Sequence, residues 1–207
     1  LWSKSYKGYH YDEAYSLTLT NDGGYAIAGY SRSFTGGNEP DALLIKIDAN
    51  GNMLWAKSYS GPSAETILSV IETDDHGFIM SGYTSIPGNA NDVYLIKTDS
   101  NGNLVWTKAF GGTGDEDARS ICQTADGGYL VCGSALGFIP GVLNLYVIKT
   151  DPNGSTGCNE SNPGCVVTNV FLTVVNVTPF VSSIGAVSFP NALVGTGGSM
   201  TTVCLST

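Results

Sequence analysis

Apolar and polar residues alternate in short runs along most of this chain, and Gly, Asn or Asp closes nearly every run. A period of two marks half-buried β-strands; helices would need spacings of three and four. In the first stretch the runs over 14–20, 25–31, 42–48 and 53–59 predict four strands. Between them stand Asp22-Gly23-Gly24 and Asn50-Gly51. These are hairpin signals, because Gly reaches positive φ without steric cost and Asn tolerates it. Each group of four strands therefore reads as an antiparallel meander.

The same pattern returns twice. Trp2, Trp55 and Trp106 recur at intervals of 53 and 51 residues, each followed two positions on by Lys4, Lys57 or Lys108. An aromatic follows at Tyr6, Tyr59 and Phe110, then a glycine at Gly8, Gly61 and Gly111, then acids at Asp12 and Glu13, at Glu65, and at Asp115, Glu116 and Asp117. The blocks Asp22-Gly23-Gly24-Tyr25, Asp75-His76-Gly77-Phe78 and Asp126-Gly127-Gly128-Tyr129 come next, each followed by Gly29, Gly82 or Gly133. Each copy closes on Ile45-Lys46-Ile47-Asp48, Ile96-Lys97-Thr98-Asp99 or Ile148-Lys149-Thr150-Asp151 and an Asn-Gly pair. A four-stranded sheet cannot bury both faces alone, so successive copies must stack, and radial stacking is the propeller solution. The expected fold is all-β: tandem four-stranded antiparallel propeller-type blades over 1–154, followed by a strand-rich C-terminal segment over 155–207.

These motifs resemble the Trp-x-Lys-x-Phe/Tyr-Gly, Asp-Gly-Gly-Tyr and Ile-Lys-x-Asp-x-Asn-Gly-Asn repeats of large secreted and cell-surface β-propeller proteins of bacteria and archaea. The resemblance covers 1–154 and implies an extracellular or cell-surface location, while saying nothing of activity. Residues 155–207, with a Cys-flanked loop and a Thr/Val-rich stretch, resemble the tails that follow such propellers, often ahead of a sorting domain of the type IX secretion kind.

Set in register, the copies leave a gap. The third has no fourth strand after Asn153-Gly154, whereas Leu1, Trp2, Ser3, Lys4, Ser5 and Tyr6 form a spare copy of that strand with no repeat of its own. Three blades are too few to close a ring, and open edges invite pairing. Three arrangements stay open: an excised piece of a larger propeller, two chains in one six-bladed ring, or a head-to-tail polymer in which the spare strand enters the next molecule. The chain begins Leu1-Trp2 without Met or a signal-type segment, which reads as part of something longer.

Composition narrows the partners. Charged residues make up 13% of the chain, and 18 acids against 9 bases give a net charge of −9, which disfavours nucleic acid and anionic membranes. No run of about 18 apolar residues exists, so membrane insertion is not expected. Of the five Cys, Cys158 and Cys165 flank a loop where a disulfide would contribute about 2 kcal/mol. Cys122 and Cys132 lie either side of the Asp126 turn, placed for a cross-strand bridge or as two buried free thiols. Cys204 is left over for a free thiol or a bond between chains.

Candidate chemistry is sparse. His76 replaces a turn glycine, and His10 has no evident partner. The recurring acids read as a repeated surface turn, and the Asp-x-Asn-Gly-Asn pieces at Asp48 and Asp99 as hairpin turns, since they lack the distal Glu of a calcium loop. One Trp per repeat, Trp2, Trp55 and Trp106, reads as packing between repeats ahead of sugar stacking. Sequons at Asn153, Asn159 and Asn176 are candidate glycosylation sites. No catalytic group, metal site or cofactor is expected. The functional expectation is an extracellular structural scaffold, not an enzyme, that joins copies of itself or other surface proteins by β-strand complementation. The alternative is a cell-surface module binding glycans or proteins.

Overall fold

The computed structural model describes residues 1–34, 39–61, 63–85, 90–139, 141–157, 160–161 and 166–176. Every helix or strand among them is a β-strand. In chain order they are β1 (Lys4–Lys7), β2 (Asp12–Leu19), β3 (Tyr25–Ser31), β4 (Asp41–Ile47), β5 (Met53–Ser60), β6 (Glu65–Glu72), β7 (Phe78–Ser85) and β8 (Asn91–Thr98). Then follow β9 (Leu104–Phe110), β10 (Glu116–Gln123), β11 (Tyr129–Ile139), β12 (Val142–Thr150), β13 (Glu160–Ser161), β14 (Val166–Asn169) and β15 (Thr173–Asn176).

Each repeat is an antiparallel meander, and the chain after the third repeat runs back along the first two. The first sheet has the order β14-β5-β4-β3-β2 and the second β13-β9-β8-β7-β6, so each gains a fifth strand from the tail. Among the described residues the third repeat is a three-stranded sheet, β10-β11-β12, and β1 pairs only with β15 in a separate two-stranded ribbon. The strand-rich segment from residue 155 thus lends three strands to the repeats, and one compact unit spans Leu1–Val177.

The turns form for the reasons the sequence suggests. Gly23 and Gly127 have φ of 80°, and Gly51 and Gly102 of 72°. His76 takes the same turn position at φ 61°. In each Asp-Gly-Gly or Asp-His-Gly turn the aspartate tightens the loop: Asp22 Oδ1 accepts the Gly24 amide at 3.0 Å and the Thr20 hydroxyl at 2.6 Å. The lysine of each Ile-Lys block reaches back to the same carboxylate, Lys46 to Asp22 at 2.8 Å and Lys97 to Asp75 at 2.9 Å. These bonds, the lysine's first among them, hold the Asp22 carboxyl well below the usual carboxylate range.

A second regularity lies in the first strand of each repeat. Pairing shifts by one residue between Ala14 and Ser16, between Ile67 and Ser69, and between Ala118 and Ser120. Each bulge pushes a carbonyl toward the facing glycine, Gly29, Gly82 or Gly133, leaving no room for a Cβ. That is why these glycines recur.

The core lies between sheets. Ala26, Ala28, Ala42 and Leu44 of the first repeat meet Ile67, Val70, Met80 and Ile96 of the second. Ile79, Val93 and Leu95 of the second meet Ala118, Ile121, Val131 and Ile148 of the third. Each buried Leu, Ile or Val of this kind stabilises the stack by about 1.5–3 kcal/mol.

Two substitutions test this reading. Gly82→Ala drives a methyl into the Thr66 carbonyl and is expected to cost about 3 kcal/mol in urea unfolding. His76→Gly relieves a left-handed side-chain residue and is expected to raise stability by about 1 kcal/mol in the same measurement.

Candidate assembly site

The fourth strand of each of the first two repeats is anchored both by its own sheet and by the next repeat's Asn-Gly turn. On β5, Lys57 Nζ donates to Asn103 Oδ1 at 2.6 Å, Tyr59 OH donates to the Gly102 carbonyl at 2.8 Å, and Trp55 covers Gly102 so closely that a Cβ there would lie 2.8 Å from the ring. β1 repeats this constellation on the first repeat. Lys4 Nζ donates to Asn52 Oδ1 at 2.9 Å, Tyr6 OH to the Gly51 carbonyl at 2.7 Å, and Trp2 Nε1 to the Ala49 carbonyl at 3.0 Å, with its ring over Gly51. β1 therefore sits where the fourth strand of a preceding repeat would sit. Of the six residues Leu1, Trp2, Ser3, Lys4, Ser5 and Tyr6, the last three, with Lys7, pair with β15 along one edge and the first three precede the strand; among the described residues no strand lies on the other edge.

The third repeat presents the converse. β12 pairs with β11, and among the described residues its other edge has no strand. The face that buries the next repeat in sheets one and two is bare here. Leu145 is 81% and Val147 50% exposed, whereas Val93 and Leu95 at the matching positions of the second repeat are 1% and 0%. The Lys149 side chain is 43% exposed where Lys46 and Lys97 are 7% and 5%. At the opposite end Ala14 and Leu17 are exposed, while their counterparts Ile67 and Val70 are buried. An apolar groove of about 540 Å³ runs there between Trp2, Tyr6, Leu17, Ile27, Leu43 and Ile45.

The surface-turn reading holds for only part of the recurring acids: Glu13 and Asp115 are exposed, but two others are buried. Glu65 is 0% and Glu116 2% exposed, wedged between repeats, where each accepts the amide of a glycine four residues back. Glu65 also accepts the Thr84 hydroxyl at 3.1 Å. Their neighbours across the interface are acids too, Asp41 facing Glu65 and Asp92 facing Glu116. Burial, reinforced by Asp41 and opposed by those hydrogen bonds, pushes the Glu65 carboxyl up to about 7. Burial and then Glu116 raise Asp92, whose Oδ1 is buried with no hydrogen-bond partner among the described residues. Sequence shows an acid's polarity but not its depth, so this feature was missed.

The other singled-out residues fall as follows. Cys122 and Cys132 are exposed free thiols, not a disulfide and not buried. The register puts Cys122 opposite Leu130 and Cys132 opposite Ser120, a diagonal relation that spaces Cα atoms by about 7–8 Å, too far for a bridge. Cys158, Cys165, Cys204 and Asn159 lie outside the described residues. Trp55 meets Phe78 edge-on at 6.0 Å and Trp106 meets Tyr129 at 5.9 Å, across successive repeats. Asp48 Oδ1 accepts the amides of Asn50 and Asn52, both at 2.8 Å, which is turn chemistry. Among the described residues no cluster of three or more His, Cys, Asp or Glu is placed to hold a metal. Asn153 stands in an exposed turn, and Asn176 pairs through its backbone with Lys4.

Fold and site together define an all-β repeat protein with stacked antiparallel sheets and, among the described residues, two unfilled strand positions. No protein-family profile matches the chain. A curated relative, the regulatory protein FlaEY of Caulobacter vibrioides, is 27% identical over 130 residues, covering 56% of this chain. The chain spans only 13% of that relative's length.

The buried acids give a pH prediction. The Glu65 carboxyl is raised from 4.5 to about 7, so the fold keeps a proton that the unfolded chain releases above about 4.5. The stability it contributes is present below that value and is lost as pH rises through about 7. Asp92 acts in the same sense, whereas Asp22, with its lowered carboxyl, loses its contribution only in acid. Urea unfolding is expected to show stability falling by on the order of 2 kcal/mol between pH 5 and 8, and Glu65→Gln is expected to flatten much of that slope.

Proposed function

We propose that this chain is an extracellular structural protein whose repeat sheets are propeller-type blades, and that it assembles through β-strand complementation. The observation that carries the reading is β1: a strand held on the first repeat by Trp2, Lys4 and Tyr6 in the fourth-strand position, with an edge left for another sheet. Main-chain hydrogen bonds along that edge supply attachment, and the alternation of side chains fixes register, because a slip by one residue would turn every side chain to the wrong face. Low charge, abundant glycine hairpins and the resemblance to secreted and cell-surface propellers support the extracellular placement. The role needs neither a catalytic group nor a cofactor.

Light scattering and electron microscopy of the chain under non-reducing conditions test the reading. Multi-copy particles are expected, and deletion of residues 1–6 is expected to reduce them to single copies that keep a β-type circular dichroism spectrum. Single copies before deletion, or an unchanged particle size after it, would overturn the proposal.

A further inference from the structure

We infer that the partner is a second copy of this chain, docked head to tail so that its β1–β15 ribbon becomes the fourth and fifth strands of the first copy's β10–β12 sheet. The inference rests on the assembly reading above and specifies its partner, faces and register.

Strand order is the first ground. Two sheets run tail strand, fourth, third, second, first, and each has five strands; the remaining ribbon of two and sheet of three are the two parts of one more. Tail register is the second. Asn169 on β14 lies opposite Lys57, and Asn176 on β15, seven residues later, lies opposite Lys4. β15 therefore stands to β1 as β14 stands to β5, which makes the ribbon a fourth-and-fifth-strand pair. Among the described residues no strand fills those positions, and Glu160 and Ser161, which follow the third repeat, pair instead with Phe110 and Ala109.

The faces match for the same reason. Leu130, Leu145 and Val147 are exposed at the positions where Ile79, Val93 and Leu95 are buried against the third repeat. Ala14 and Leu17 line the receiving side, at the positions of Ile67 and Val70. The register carries over from Lys46 opposite Trp55 and Lys97 opposite Trp106, and from Leu44 opposite Lys57 and Leu95 opposite Lys108. It sets Trp2 of one copy opposite Lys149 of the other, Lys4 opposite Val147, Ser5 opposite Tyr146 and Tyr6 opposite Leu145.

One substitution favours a joint between separate molecules. Inside the chain the interface acids are Asp41 with Glu65 and Asp92 with Glu116; at the docked joint the matching residues are Asn144 and Asp12. An amide facing a carboxylate needs no shared proton. Another runs the other way, since Leu19 stands where Glu72 and Gln123 accept the amides of Asn21 and Asp74, so the joint loses that bond and gains an apolar contact.

The test mixes two full-length chains, one carrying Lys4→Cys and the other Val147→Cys, both with Cys122 and Cys132 changed to Ser. A second mixture pairs Ser5→Cys with Tyr146→Cys, because neighbouring antiparallel pairs alternate in spacing and one suits a disulfide better. Under mild oxidation one mixture is expected to give a disulfide joining the two engineered sites, identified by mass spectrometry of the linked peptides. In the unmodified chain, maleimide labelling of Cys122 and Cys132 is expected to slow by about tenfold or more on assembly, as the face that holds them is covered. Particles that form with neither cross-link and with both thiols still reactive would overturn this partner and register while leaving strand complementation standing. Failure to form particles at all would remove the assembly reading itself.

Discussion

The rest of the fold depends on the grip of one repeat's fourth strand on the next repeat's Asn-Gly turn. Glycine at positive φ gives the turn a bare surface, the Trp ring covers it, and lysine and tyrosine bind the turn's Asn side chain and Gly carbonyl. A fourth strand is thus shared: its backbone belongs to one sheet and its large side chains belong to the next. No repeat is complete by itself, and stacking and strand pairing become a single cooperative interaction. The same grip explains why β1 lies against the first repeat although, among the described residues, it has only β15 beside it.

Much of this architecture was legible in the sequence because it is local. Alternation placed the four strands of the first repeat within a residue or two, and the Asp-Gly-Gly and Asn-Gly pairs marked turns that do take positive φ, even where His76 replaces the glycine. The Trp spacing pointed to packing between repeats, where Trp55 and Trp106 meet Phe78 and Tyr129. What escaped was set by distance in the chain. The pairing of β13, β14 and β15 with β9, β5 and β1 joins residues roughly fifty to one hundred and seventy apart, and no alternation rule reports that. A faint signal existed in Asn169 and Asn176, seven residues apart and each after a Val-Thr or Val-Val pair. The cysteines failed for a simpler reason: being on either side of a hairpin turn is not being opposite, and Cys132 lies two residues beyond the partner of Cys122.

The buried acids show how intramolecular stacking differs from association. Glu65 and Glu116 satisfy glycine amides at the seam between repeats, yet each faces a second carboxyl, and Asp92 keeps an oxygen without a partner. Burying a carboxyl pair is costly unless a proton is shared or hydrogen bonds replace water. Within one chain the neighbouring repeat is tethered at high effective concentration, so a joint can carry that cost and still form. Two separate molecules also lose translational and rotational freedom on meeting, which leaves less margin for an unsatisfied charge. At the proposed joint between copies, where no tether acts, Asn144 stands in place of the second carboxyl, while Leu130, Leu145 and Val147 present the kind of apolar surface that the internal joints bury. Water alone calls for polar residues at those positions; this end carries an amide in place of the acid and aliphatic side chains beside it.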